Sequence, residues 1–416
     1  MQGVLIIMRV TGIIAEYNPF HNGHKTHAEM ARSASSADYV IAVMSGNFVQ
    51  RGETALFDKY LRTRAALLNG VDLVIEIPIF SACAAGEYFA EGAIKALNLT
   101  NITDSICFGT ECGDINLIKK TADMMMLEDK NISDSLKLNL SKGMSFPQSR
   151  GKAFADADEA AGQVLESPNN ILAVEYIKAL SITKSHIKPY AVQRVLAPHN
   201  SDQILGEISS ATAVRKALLS GNVSEALTAV PQNTQMLYKE AFACGDVAVL
   251  DNLSHIFHYI IKTKPKKEIA AALDISEGLE NRIISAAEKH FKISDIISDV
   301  KTKRYTMSKI RRIILQIILG ISKENFAGYR GRTLPYIRVL GFRQSAELLL
   351  KELYRESSAP VITNLKQANN ILNAKGLNML EWEMTANDVY YIAQNSYLTC
   401  PKRRNFEYGM PLVVLA

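Results

Sequence analysis

The chain has 416 residues, more than a single core usually fills, so two or three domains are expected. Apolar residues make up 48% and charged residues 21%, ordinary values for a soluble globular protein, and no apolar run approaches the roughly 20 residues a membrane span needs. The five cysteines, at positions 83, 107, 112, 244 and 400, are scattered without CxxC spacing, which argues against a disulfide framework and a structural zinc site, and the net charge of +5 is mild.

MQGVLIIM at the start has no basic region before its apolar part and no small-residue cleavage site, so no signal peptide is expected and a cytoplasmic location is the simpler reading. Met8 is an alternative start. The runs VTGIIA (10–15), YVIAVMS (39–45), DLVIEIP (72–78) and SICFGT (105–110) are short and rich in Val and Ile, and each is followed by a helical pattern. That order predicts an α/β fold with a Rossmann-like parallel sheet covered by helices on both faces. From about residue 232 long amphipathic patterns dominate, so a mainly α-helical C-terminal domain is expected. GNVSEALTAVPQN (221–233) carries turn signals and places the boundary near 230, giving domains of 1–230 and 231–416.

Ligands of a doubly wound sheet sit at the C-terminal ends of its strands, and EYNPFHNGHKTH (16–27) occupies that place after strand 10–15. Pro19 and Gly23 shape a loop, and from His24 the pattern turns helical. Amides at a helix N-terminus bind phosphate, and His21 and His24, three apart, can both face one phosphate group and stabilise charge developing during attack on an α-phosphorus. The arrangement suits adenylyl transfer. The competing reading is that the histidines only cap the helix, and His27, one turn on, is open between nucleotide contact and helix packing.

HNGH resembles the HxGH signature of the nucleotidyltransferase superfamily. GIIAEYNPFHNGHKTH, MSGNFVQRGE (44–53), DKYLR (58–62), GVDLVIEIP (70–78), CFGTE (107–111), SPNNILAVEYIKAL (167–180) and SSATAVR (209–215) resemble, in order, motifs of the bacterial tRNA(Met) cytidine acetate ligase family. The resemblance implies nucleotidyltransferase topology and an enzyme that forms acetyl-adenylate from ATP and acetate, then acetylates the wobble cytidine of elongator tRNA(Met), releasing AMP and pyrophosphate. On that reading the loop Ile14, Ala15, Glu16, Tyr17, Asn18, Pro19, Phe20, His21, Asn22, Gly23, His24, Lys25, Thr26 and His27 forms the ATP pocket. Gly109, Asn169, Arg194, Ser209, Ser210 and Arg215 complete it, and Glu111 is a further candidate contact. Asn169 and Asn170 open a helix, so one is expected at its N-cap and the other at the ligand. Mg2+ is expected to accompany the ATP, with no carboxylate cluster marking protein ligands. Lys25 and Thr26 depart from the family pattern, which has an apolar and an aromatic residue there.

Gln50, Arg51 and Gly52 should face the same crevice, with Arg51 placed with His21 and His24 as catalytic, pairing acetate or phosphate. Lys59 and Arg62 are open between substrate contact and a solvated helix face. The stretch 301–343 carries 11 Lys or Arg against one acidic residue, Glu324, and is the expected tRNA surface, with Lys303, Arg304, Arg311, Arg312, Arg330 and Arg332 as contacts and Tyr305, Tyr329 and Tyr336 interleaved. PKRRNFEY (401–408) extends that surface or forms a tail, and Trp382 is expected in the core. Two rival readings stay open: a nucleotidyltransferase making a dinucleotide cofactor, and a non-catalytic RNA-binding protein.

Overall fold

The computed structural model describes residues 8–127, 129–194, 204, 206, 209–276, 278–331 and 333–416. Five parallel strands form the centre of the main sheet: β1 (Val10–Ala15), β2 (Tyr39–Ser45), β5 (Leu73–Ile77), β6 (Ser105–Thr110) and β7 (Lys188–Gln193), in the spatial order β5-β2-β1-β6-β7. Between β2 and β5 lies a two-residue-per-strand hairpin, β3 (Phe48–Val49) with β4 (Glu53–Thr54). Successive side chains of a strand point to opposite faces. Thus Ile13, Val40, Ala42 and Val74 join the core that holds helix α1 (Asn22–Ser35) and helix α2 (Lys59–Leu68). Ile41, Val43, Ile75 and Ile106 join the opposite core, under helix α3 (Gly86–Thr100) and helix α4 (Pro168–Ile182). Each such Val or Ile side chain contributes about 1.5–3 kcal/mol by leaving water. The result is the α/β parallel sheet that the four apolar runs predicted, with nucleotidyltransferase topology.

Helix α5 (Ala211–Leu219) follows β7, and the rest of the chain is mainly helical, including helix α6 (Met307–Leu319) and helix α7 (Ala374–Ile392). This region nevertheless returns to the sheet. β8 (Ile337–Arg343) pairs antiparallel with β5, and β9 (Val361–Ile362) and β10 (Val413–Leu415) pair with β8. The sheet therefore draws strands from both sides of residue 230. The helical core also reaches across, since Phe48, Val49, Phe80 and Cys83 pack with Phe257, Ile283, Ile313 and Tyr390. Trp382 is half-buried against the same cluster.

Lys59 and Arg62 form neither a solvated face nor a substrate contact, because both are fully buried. The Lys59 ammonium bonds Glu76 at 2.7 Å and Glu407 at 2.8 Å, and Arg338 from β8 bonds Glu76 at 3.0 Å and Glu407 at 2.8 Å. Burying a charge is costly unless it is paired, and here two cations share two carboxylates. Glu383 completes the group, its carboxyl raised to about 7 by burial and by the Glu76 charge. Arg62 instead donates to backbone oxygens of Phe57 at 2.9 Å, Glu16 at 2.7 Å and Ser45 at 3.1 Å, fixing the loop after β1 to the end of β2. Glu407, in the segment expected to extend the basic surface or form a tail, is thereby locked inside.

Candidate active site

A cleft of about 520 Å3 opens across the C-terminal ends of β1, β6 and β7 and beside the β3–β4 hairpin. His21 is the N-cap of α1, with extended backbone, and its Nδ1 accepts the Gly23 N–H at 3.1 Å. His24 Nδ1 accepts the His21 N–H at 3.2 Å, closing a reciprocal cap of the kind Ser and Glu usually make. The rings stack with centroids 3.7 Å apart. With both Nδ1 atoms used as acceptors, each neutral ring carries its proton on Nε2. Burial, with the Arg194 and Arg215 charges, depresses the His21 pKa to about 3, and burial with the neighbouring His21 and His27 imidazoles and Arg194 holds His24 well below the usual histidine range. Neutral Nε2–H donors are therefore the state present at neutral pH. The same two side chains both cap the helix and line the cleft.

Around them, the cleft is lined by Ile14, Ala15, Glu16, Tyr17, Asn18, Gly23, Thr26 and His27 of the expected loop, and by Gly109, Asn169, Arg194, Ser209, Ser210 and Arg215. Four expected loop residues do not line it. Phe20 is buried, with its N–H donating to the Tyr238 hydroxyl at 2.9 Å, and Pro19 is buried beside it. The Asn22 N–H donates to Ala229 O at 2.9 Å, and exposed Lys25 reaches toward Glu29 at 4.0 Å. For Asn22 and Lys25 the helical geometry explains this, since these positions rotate away from the face shared by His24 and His27, whereas Pro19 and Phe20 lie in the loop before the helix and turn into the core. His27 lines the cleft, its pKa lowered to about 4 by burial and Arg194, and its buried Nε2 makes no hydrogen bond among the described residues.

Ser210 caps α5 by accepting the Ala213 N–H at 3.0 Å, which aims the first amides of that helix at the cleft. Arg215 donates to Asn18 O at 2.5 Å and to Glu53 at 3.0 Å. Glu53 also pairs with Arg311 of α6 at 2.5 Å, so the cleft wall is tied to the helical region. A Cβ on Gly109 would meet Arg194 Cγ at 2.9 Å, so the missing side chain makes room for that arginine. The N-cap of α4 is Ser167, which corrects the expectation for Asn169 and Asn170. Asn170 instead accepts the Glu111 N–H at 2.9 Å, and Glu111 accepts from Asn169 at 2.6 Å and from the Asn170 N–H at 3.0 Å. Arg51 is exposed at the cleft wall, and the Gln50 N–H donates to Glu16 at 2.8 Å. Sequence reasoning missed Glu53, though it stands inside the quoted GNFVQRGE, and the apolar lining of Phe89, Phe108, Leu172 and Tyr176, which nothing local distinguishes from core.

No group of three or more His, Cys, Asp or Glu suited to a metal occurs among the described residues. Of the cleft carboxylates, Glu53 and Glu111 are engaged as above and Glu16 through one oxygen, so no cluster of carboxylates is left among the described residues to hold a Mg2+ arriving with nucleotide.

On the expected tRNA face, Lys303 and Arg304 are exposed before α6. Arg330 is exposed, lies over the Tyr88 ring at 4.6 Å and pairs with Glu87 at 3.0 Å. Arg311 is half-buried on Glu53, and Arg332 lies outside the described residues. Arg312 departs from the expectation: it is buried against Asp274 at 2.7 Å, because its helical position turns inward. Tyr336 is likewise buried, donating to Glu383 at 2.8 Å, and Tyr329 stacks on Phe80 at 5.2 Å, so neither presents an open face.

Residues 8–404 match the family model described as HIGH Nucleotidyl Transferase. A protein from Caldanaerobacter subterraneus named tRNA(Met) cytidine acetate ligase is 40% identical over 394 residues, covering 94% of this chain and 96% of its own length. The chain belongs to the tRNA(Met) cytidine acetate ligase family. A second such ligase, from Clostridium perfringens, is 38% identical over 395 residues, covering 92% of this chain and 95% of its own. Among solved structures, Thermotoga maritima TmcAL bound with alpha-thio ATP superposes with a TM-score of 0.89 at 29% identity, covering 98% of this chain and 100% of that one. The apo form of that protein gives a TM-score of 0.91 at 30% identity, covering 98% of this chain and 100% of that one.

Proposed function

We propose that this protein performs the reaction its family is named for, activating acetate with ATP and acetylating the wobble cytidine of elongator tRNA(Met). The observation that carries the reading is the HNGH turn, whose two Nε2–H donors, Arg194, Arg215 and the start of α5 converge on one cleft. A triphosphate laid there meets donors from three directions. An acetate oxygen attacks the α-phosphorus, the bond to the bridging oxygen breaks, and pyrophosphate departs. Neutral imidazoles suit this step, because their N–H groups stabilise the charge that grows on the α-phosphate without first demanding a proton from water. Arg215, braced by Glu53, faces the departing pyrophosphate, and Arg51 faces acetate. Mg2+, carried on the phosphates, would supply further charge neutralisation.

In the second step the cytidine amine attacks the acyl carbon and AMP leaves. A wobble base in a single-stranded loop reaches a cleft at low unstacking cost. Lys303, Arg304, Arg311 and Arg330 support a tRNA path on the 231–416 region, with 1–230 as the ATP-binding part, and the Glu53–Arg311 pair joins that path to the cleft. No described helix is long and apolar enough to cross a membrane, and tRNA as substrate favours a cytoplasmic site of action. The test is incubation of the purified protein with ATP, labelled acetate and unmodified elongator tRNA(Met). Label in acetylcytidine with release of AMP supports the proposal; label in a mononucleotide-derived cofactor, or none transferred, overturns it.

A further inference from the structure

The cleft residues sort into two ends on either side of the HNGH turn. Gly109 and Glu111 at the end of β6, Arg194 after β7 and Asn169 of α4 line the β6–β7 side, where the proposed function lays ATP, and Arg215 of α5 ties the cleft to Asn18 and to Glu53 of the β3–β4 hairpin. Gln50, Arg51 and Phe89 belong to the β2 side. Three carboxylates line the cleft, and two are consumed by structure: Glu53 by Arg215 and Arg311, Glu111 by Asn169 and the Asn170 amide. Glu16 differs. Its Oε1 accepts the Gln50 N–H at 2.8 Å, which turns the carboxylate toward the β2 side, and Oε2 has no hydrogen-bond partner among the described residues. Ile14, Phe89, Leu172 and Tyr176 line the same cleft and add apolar surface to it.

Resting on the proposed function, we propose that Glu16 is the catalytic base of the second half-reaction, accepting the proton that the cytidine amine sheds as it takes the acetyl group. The N4 lone pair forms the bond to the acyl carbon, the acyl carbon–oxygen bond to the phosphate breaks with its electron pair on AMP, and one N4 proton passes to Glu16 Oε2 and then to water. Burial raises the Glu16 pKa, which brings a carboxylate base nearer the operating pH, while Arg51 and Arg215 oppose the shift, Glu53 adds to it, and Tyr176 faces the carboxylate as a neutral phenol. A positioned base contributes about 10²–10⁴-fold, and with an acyl-adenylate as donor the lower end, about 100-fold, is expected here.

Glu16→Gln tests this, because its amide oxygen still accepts the Gln50 N–H and the loop keeps its tie. The enzyme–acetyl-adenylate complex is formed from ATP and labelled acetate, freed of pyrophosphate, and mixed with unmodified elongator tRNA(Met) in a single turnover across pH. Relative to its own rate of adenylate formation, Glu16→Gln should transfer acetyl about 100-fold more slowly, lose the acidic limb of the wild-type pH–rate profile, and regain part of the rate in Glu16→Asp. Transfer at the wild-type ratio, a retained acidic limb, or equal loss of both half-reactions overturns the assignment. Failure of the wild-type protein to form acetyl-adenylate at all instead overturns the proposed function, so the two failures are separable.

Discussion

Gly52 sits at a left-handed φ of +78° in the β3–β4 hairpin, and a Cβ built there would lie 2.3 Å from Arg312 N and 2.6 Å from Arg311 C, both backbone atoms of α6. Gly143 has nearly the same φ, +81°, and a Cβ there would meet nothing within 4 Å. Both Gly→Ala changes incur the left-handed penalty of about 1–2 kcal/mol. Only Gly52→Ala adds overpacking against a helix backbone, about 1–3 kcal/mol, so its total is about 2–5 kcal/mol. Relief requires α6 to retreat by about 1 Å, which draws Arg311 from Glu53 and loosens the brace on Arg215. Urea denaturation of both variants, followed by the KM for ATP, tests the chain of reasoning. Gly52→Ala should lose more stability than Gly143→Ala and raise the KM several-fold. Equal losses, or a greater loss in Gly143→Ala, would refute the contact argument, and an unchanged KM would refute the coupling.

Lys303→Ala with Arg304→Ala should weaken tRNA binding and flatten its log–log salt slope by about 2, one per phosphate contact; an unchanged slope would move the tRNA path elsewhere. Arg312→Ala should lower folding stability by about 3–5 kcal/mol through stranded Asp274, without altering that slope. Lys59→Met should destabilise by about 3–5 kcal/mol, because Glu76 and Glu407 are left sharing Arg338 alone, and a loss below about 1 kcal/mol would sink this reading. His21 and His27 have folded pKa values of about 3 and about 4, below the unfolded value of 6.5, so between those limits only the unfolded state takes up their protons. Stability should therefore hold above pH 6.5 and fall as pH drops toward 4, and His27→Asn should make that fall shallower by up to about 1.4 kcal/mol per pH unit. Parallel acid curves for wild type and His27→Asn would contradict it.

The sequence made the centre of the fold legible because its strands are buried on both faces and so read as unbroken Val/Ile runs; YVIAVMS and SICFGT match β2 and β6 residue for residue. β8 escaped because IRVLGFR lies in the most basic stretch of the chain, and Arg338 looks like surface until Glu76, Glu383 and Glu407 are seen around it. Those carboxylates come from distant segments, and no local pattern signals such a convergence. Lys59 was misjudged for the same reason. The HNGH turn was legible as a strand-to-helix turn at the ends of the sheet strands, since strand, proline, glycine and helix start are all local features. The double use of its histidines was not, because the choice of Nδ1 for capping depends on side-chain rotamers that spacing leaves open.

The most direct measurement is acetate-dependent exchange of labelled pyrophosphate into ATP without tRNA, run on wild type and His24→Ala beside tRNA affinity. The wild-type protein should exchange label only when acetate is present, and His24→Ala should lose exchange while binding tRNA nearly as well. Exchange that ignores acetate, or a variant that loses exchange and tRNA affinity equally, would contradict a cleft in which the HNGH turn carries acetate activation.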